Sequence, residues 1–328
     1  MASTGVSTRM SHRGRRRAGA WLEVDLGAVE HNAGVLRSMC GPSVKLCGVV
    51  KKDAYGTGGV QVAHRLARSG CEMLCVWSAD EARRLVEGSV VVPILVLAPV
   101  RSLERTDALY RAAVADRLHL CIQDPVQLQD LEQVGRTFGI KLPVHLSLDT
   151  GMTRMGLTRE QFDAAVQASA DWKYLRLAGV YSHLATADED PAFAEQQRRE
   201  FDAALTDHAQ RLDREVIRHL ANSFGVMRGP AMHYDMVRPG LSLLGYGPTL
   251  MHDPPADAPA LKHAVRWFTR LIHVQRWPAG RPVGYGSTHT LGRNSLLGVA
   301  SVGYGDGYPA ALGRGMPVRV AEPGGDPA

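Results

Sequence analysis

Residues Val44–Gly70 read VKLCGVVKKDAYGTGGVQVAHRLARSG. Apart from Lys45, the first seven residues are apolar or glycine, as a buried strand requires. From Gly59 onward Val62, Ala63 and Leu66 recur at helical spacing. Between strand and helix lie Lys51, Asp53, Tyr55 and Gly56. A lysine at the mouth of a strand, followed by such a turn, is what a chain needs to hold an aldehyde cofactor as a Schiff base beside a phosphate anchor. Most lysines are solvated surface residues, so the rest of the chain decides.

Working outward, the same β-then-α pattern repeats. Strand-like runs follow at EMLCVW (from Glu72), VPILVLA (from Val92), LHLCI (from Leu118), PVHLSLD (from Pro143), LRLAGVYSH (from Leu175), VIRHLAN (from Val216) and HYDMVRPG (from His233). Most are followed by helical patterns, and alternating strands and helices imply parallel pairing. Eight such units predict a (β/α)8 barrel, an α/β fold of roughly 250 residues. A doubly wound open sheet is the competitor. It is disfavoured because no glycine-rich dinucleotide fingerprint follows the first strand. After Tyr246 the texture changes: HDPPADAPA reads as a linker, and AVRWFTRLIHVQRW, PVGYGSTHTL, SLLGVASVGYGDGY and MPVRVAE read as an all-β region. The expected organisation is a disordered basic tail over residues 1–20, a barrel over 21–248 and an incomplete C-terminal β domain over 249–328.

The net charge of +5 is local. Five of the 38 basic residues (Arg9, Arg13, Arg15, Arg16 and Arg17) lie in that tail, and removing them leaves 33 against 33 acids. A nucleic-acid-binding face is therefore not indicated. No apolar run is long enough to span a membrane, and the arginine run lacks the apolar stretch of a secretory signal. Cys40, Cys47, Cys71, Cys75 and Cys121 are odd in number and mostly sit in apolar runs, without the spacing of a zinc site. That usage fits a reducing cytoplasm. No metal is expected.

In a barrel of this kind chemistry gathers at the C-terminal strand ends. Those ends carry Lys51; Ser147, Asp149 and then Arg154; His183; Asn222 and Ser223; and Arg238. Singly each has an ordinary reading, for example Asp149 and Asn222 as helix caps. Together they set an amine, two guanidiniums, an imidazole and hydroxyls around one rim. VVKKDAYGTG, DTGMTRMGL, YSHLATADE, ANSFGV, HYDMVRPGLSLLGYG, VGYGSTHT and VGYGDGY stand in the order of the alanine racemase motifs, and the chain resembles that family from Trp21 to about Val320.

The resemblance implies a pyridoxal 5'-phosphate enzyme that interconverts L- and D-alanine and supplies D-alanine for peptidoglycan. Lys51 falls at the position of the cofactor lysine, and strand alternation agrees, since Cys47, Val49 and Lys51 share a face. By the same resemblance Tyr55, Asn222, Ser223, Gly240 and Leu241 bind the cofactor, the last two by backbone N–H groups near its phosphate. His183 lies beside the pyridine ring, and Arg238 meets the pyridine nitrogen. An arginine there stays charged and donates, which leaves the ring nitrogen unprotonated and weakens the electron sink. Lys51 and Tyr285 are the two catalytic bases, one on each face of the substrate. Tyr285 needs nearby positive charge or a donor to favour phenolate. Arg154 and Tyr304 contact the amino-acid substrate or its entrance. The family's second base comes from a partner subunit, so a homodimer with shared active sites is implied.

Two departures stand out. Ser147 occupies a position where most family members carry a lysine, often carbamylated, whose negative charge holds the arginine matched by Arg154. The family's Met–Asp element and a further phosphate-binding tyrosine lie beyond the GYGDGY strand, and neither is found in this sequence, so the β domain is expected to be shortened. Alternatives are a racemase of serine or of broader specificity, and a pyridoxal-phosphate-binding homologue with little activity.

Overall fold

The computed structural model describes residues 19–212, 215–313 and 318–320. Residues 1–18, most of the arginine-rich tail, lie outside that description. Val24–Ala264 forms one compact unit; residues 19–23 and those from Val265 onward form another.

The eight expected strands are the eight strands of one parallel sheet. They are β2 (Lys45–Val49), β3 (Met73–Val76), β4 (Ile94–Val96), β5 (Leu118–Ile122), β6 (Leu142–Ser147), β7 (Leu175–Tyr181), β8 (Ile217–His219) and β9 (Met236–Val237). Pairing runs from β2 to β8 in sequence order, and β9 returns to pair with β2. At the β8–β9 seam the Asp235 N–H donates to the Arg218 carbonyl (3.0 Å) and the Arg238 N–H to the Ala221 carbonyl (2.9 Å). The Arg218 guanidinium also holds the Asp235 carboxylate at 2.6 and 2.7 Å. The sheet thus comes round on itself as a barrel, and the open-sheet alternative falls. β9 is short because Pro239 has no N–H to extend the ladder.

Helices follow the strands, and most of their starts carry a side-chain cap. Asp25 caps α1 (Leu26–Cys40), and α2 runs over Gly59–Arg68. A Ser78–Glu81 capping box opens α3 (Ala79–Glu87), and Asp107 caps α4 (Ala108–Val114). Asp124 and Thr158 cap α5 (Pro125–Phe138) and α6 (Arg159–Ala168). Asp190 caps α7 (Pro191–Asp207), and Asn222 caps α8 (Ser223–Met227).

Strand alternation divides the buried residues into two layers. Leu46, Leu74, Ile94, Leu120, Val144 and Val180 face the helices. Cys47, Met73, Cys75, Leu95, Cys121, Tyr181 and Met236 fill the barrel interior. The interior is therefore largely sulfur and aromatic, and all five cysteines are free thiols.

In the second unit β10 (Val265–Thr269) pairs with β1 (Ala20–Val24), and Trp21 stacks on Phe268 at 5.5 Å. β11 (Leu271–Trp277) pairs antiparallel with β14 (Ser295–Ala300), and β12 (Pro282–Val283) with β13 (His289–Thr290). The MPVRVAE segment is described only at Val318–Val320, and those residues are not in a strand. Among the described residues no helix is long and apolar enough to cross a membrane.

Candidate active site

Lys51 follows β2 on the inward face shared by Cys47 and partly buried Val49. After it the backbone winds with left-handed dihedrals through Lys52 (φ 54°), Asp53 (56°), Ala54 (52°) and Tyr55 (58°). Four successive non-glycine residues at positive φ are rare, because each β-carbon crowds the following carbonyl. Tertiary contacts hold them. Asp53 Oδ1 accepts from the Gly59 N–H at 2.7 Å, and the Lys52 N–H donates to Glu81 Oε1 at 2.8 Å. Lys52 is exposed, whereas Lys51 lines a cavity at the barrel mouth with Ser147, Asp149, Arg154, Tyr181 and His183.

The turn delivers Tyr55 to the loop after β9. A β-carbon built on Gly240 would lie 2.1 Å from the Tyr55 hydroxyl, so only glycine admits that oxygen against the backbone. Ser223 Oγ accepts from the Gly240 N–H (2.9 Å) and the Ser242 N–H (3.2 Å), which leaves its own proton free to donate. Ser242 Oγ is fully buried and has no hydrogen-bond partner. Hydroxyls and backbone N–H groups converging beside a glycine, with one buried polar atom unsatisfied, are a donor set suited to a phosphate. Burial raises the Tyr55 phenol above its usual range, so at neutral pH it is a hydrogen-bond donor. Asn222 acts as the cap: its Oδ1 accepts from Phe224 and Gly225 N–H at 3.1 and 2.9 Å, which fixes the turn that presents Ser223.

Arg238 is buried beneath this mouth. It donates from Nη1 to His219 Nδ1 (2.7 Å) and from Nη2 to the carbonyls of Ser182 (2.8 Å) and Leu220 (3.2 Å). Its guanidinium lies over the Tyr181 ring at 5.1 Å. Nη2 is also 3.4 Å from His183 Nδ1. Burial, then the charges of Arg238, Arg154 and Lys51, push the His183 imidazole down to about 3, so it is neutral at pH 7.

Arg154 sits on an exposed loop shaped by Asp149, whose Oδ1 accepts from the Gly151 and Thr153 N–H groups at 2.9 and 3.1 Å. Ser147 faces inward into this cavity beside Tyr181, its register partner on β7, whose hydroxyl accepts from Gln123 Nε2 at 2.8 Å. The barrel brings together Lys51, Arg154 and His183 around one cavity and sets Tyr55, Ser223 and Gly240 beside one another. Tyr285 and Tyr304 belong to the other unit, where they are 94% and 77% exposed.

The sequence reading passed over several residues. Gln197, fully buried, donates to the His183 carbonyl (3.1 Å) and accepts from the Ala185 N–H (2.8 Å), so it clamps the loop that carries His183. Tyr181, Gln123, His219 and His145 were also missed. Alternation along β6, β7 and β8 places His145, Tyr181 and His219 on inward faces, which was the available signal.

Comparison with known proteins gives consistent matches. The family model for the alanine racemase N-terminal domain matches residues 24–248, and that for the C-terminal domain matches residues 264–324. An alanine racemase of Synechocystis sp. is 37% identical over 309 residues, covering 92% of this chain and 81% of that protein. Among solved structures, the alanine racemase of D-cycloserine-producing Streptomyces lavendulae is 29% identical with a TM-score of 0.79, covering 91% of this chain and 78% of that one. The Bartonella henselae alanine racemase, solved with covalently bound pyridoxal phosphate, is 26% identical with a TM-score of 0.73 over 90% of this chain and 78% of that one.

Proposed function

This chain belongs to the alanine racemase family, and on that footing we propose that its barrel binds pyridoxal 5'-phosphate and interconverts L- and D-alanine, with D-alanine feeding peptidoglycan synthesis. The observation that carries the reading is the inward-facing Lys51 sharing one cavity with His183 and Arg154, above the buried Arg238. The cofactor, once bound, supplies the electron sink that makes the α-proton of an amino acid removable.

The protein residues supply position and proton transfer. Tyr55, Ser223 and the Leu241 N–H hold the phosphate, and the Gly240 N–H, which donates to Ser223 Oγ at 2.9 Å, leaves that hydroxyl's proton for it or turns to it directly. Asn222 keeps Ser223 in place. Neutral His183 packs beside the pyridine ring without adding charge. Arg238, whose guanidinium has donors only, donates to the ring nitrogen, which limits the sink and favours simple proton removal and return over transamination. Lys51 takes or returns the proton on one face of the α-carbon at Nζ. Tyr285 of the partner subunit does the same on the other face at its phenolic oxygen, so the working form is a homodimer. Arg154 holds the substrate carboxylate, and Tyr304 lines the approach. A reducing compartment, the cytoplasm, suits the five free thiols.

The deciding experiment is to reconstitute the purified protein with pyridoxal phosphate and follow loss of optical rotation and α-hydrogen exchange from each alanine enantiomer. Exchange and racemisation from both is expected. Cofactor binding without exchange from either overturns the catalytic reading.

A further inference from the structure

The barrel interior carries three imidazoles in a row, each pair tilted or edge-on. His119 Nδ1 lies 2.9 Å from His145 Nε2, His145 Nδ1 lies 2.8 Å from His219 Nε2, and His219 Nδ1 lies 2.7 Å from Arg238 Nη1. We propose that His119 and His145 are positioning residues for Arg238, acting through His219 as a one-way hydrogen-bond chain that fixes every ring as its Nε2–H tautomer.

The direction follows from the guanidinium, which has donors only. His219 Nδ1 must therefore accept, so its proton is on Nε2. That proton points at His145 Nδ1, which must accept in turn, and the same step assigns Nε2–H to His145 and Nδ1 as the acceptor of His119. A proton added to His119 Nδ1 would reverse His145, then His219, and set an N–H against the guanidinium. Each contact thus has room for one proton, and Arg238 fixes which atom carries it.

The fold builds this path. Ser147, Tyr181 and His219 are register partners across β6, β7 and β8; one level down lie His145, Gly179 and Ile217. Cys121 pairs with His145, and His119 lies a further level down on β5, opposite Leu95. The chain therefore climbs one layer per ring, from the barrel floor to the mouth. Gly179 clears the way: a β-carbon there would stand 2.2 Å from His145 Nδ1. Tyr181 stacks on His219 at 4.9 Å and 7°. His145 and His219 are fully buried, and His119 nearly so. Burial also lowers all three rings' proton affinity, His119 to about 4 and the other two well below their usual value. The charged groups that act on the outer end are Asp116, which favours its protonation, and Arg176 and Lys45, which oppose it. Arg238 does so at the inner end.

The proposal rests on the function given above only for what Arg238 serves; the ring tautomers are independent of turnover. The first test is long-range proton–nitrogen NMR on full-length protein with labelled histidine, with and without pyridoxal phosphate, from pH 6 to 8. All three rings should be neutral with the proton on Nε2. An Nδ1–H tautomer or an imidazolium at any of them overturns the chain, whether or not any variant folds. The second test is His119→Leu, which removes the last acceptor. The His219 nitrogen resonances should move, and kcat should fall about tenfold with KM for alanine little changed, the low end of losses seen for outer partners of buried ligands. His119→Gln, which keeps an acceptor, should restore both. Lower melting temperature with unmoved His219 resonances and unchanged kcat would show a merely structural role and overturn the proposal. Correct tautomers in a protein that does not racemise would instead sink the function and leave the chain standing.

Discussion

The Tyr55 hydroxyl rests against the α-carbon of Gly240, with no room for a β-carbon between them: one placed there would be 2.1 Å from the phenolic oxygen. The two residues come from opposite ends of the barrel sequence, and β2–β9 pairing brings them together. The atoms nearest to a β-carbon at Gly240 are all those of the Tyr55 ring and hydroxyl. Gly240→Ala should weaken pyridoxal phosphate binding by roughly 10- to 100-fold, about 1.4–2.8 kcal/mol, measured by cofactor titration. An unchanged Kd would show that this contact is not part of the phosphate site.

Lys51→Ala should abolish both covalent capture of the cofactor, read by borohydride trapping and mass spectrometry, and racemisation. Lys52→Ala should retain both, since Lys52 is exposed and only its backbone N–H is engaged, with Glu81. Trapping lost only in the Lys52 variant would move the site by one residue.

Tyr285→Phe should leave α-hydrogen exchange detectable from one alanine enantiomer while net interconversion falls by orders of magnitude, on the order of the 10²–10⁴-fold that a positioned acid–base group contributes. Equal loss of exchange from both enantiomers would count against two bases on opposite faces.

Gln197→Leu should destabilise the fold by about 1–3 kcal/mol, because the Ala185 N–H and the His183 carbonyl lose a buried partner. Denaturant unfolding gives that value. The same variant should lower kcat by loosening His183, and wild-type turnover would contradict the clamp.

Acid should unfold this protein earlier than carboxylate titration alone predicts. His119, His145, His183 and His219 have folded-state affinities below the ordinary histidine value, with His119 at about 4 and His183 at about 3. Below about pH 6.5 the unfolded chain takes up protons that the folded rings refuse, so stability is full above that pH and is lost down to about pH 4 for His119 and lower for the others. Each ring contributes a slope of roughly 1.4 kcal/mol per pH unit within its window. Chemical denaturation between pH 7 and 5 checks the sign: stability that rises toward pH 5 would refute it.

The barrel was legible because its strands are short apolar runs at regular intervals, each followed by helical spacing, and the rim residues stand at strand ends where a parallel barrel gathers chemistry. The family resemblance picked Lys51 over Lys52, and strand alternation agreed with it. What alternation does not encode is which inward side chains touch. His119, His145 and His219 lie on three strands separated by helices, and only register and the gap at Gly179 align them. The reversed winding at Lys52–Tyr55 was hidden for another reason. Local preference argues against it, since none of the four residues is glycine, and it exists only because Asp53, Gly59 and Glu81 hold it.

That counter-wound segment makes the reactive amine hard to transplant. At roughly 1–2 kcal/mol for each residue turned against its natural hand, the motif would spring open if grafted into another scaffold as a bare peptide. A designer who wants this lysine must carry over the aspartate that bridges forward to the next helix and the glutamate reaching in from a different one. The portable unit is a fragment of packed tertiary structure, and the short signature string is its visible label.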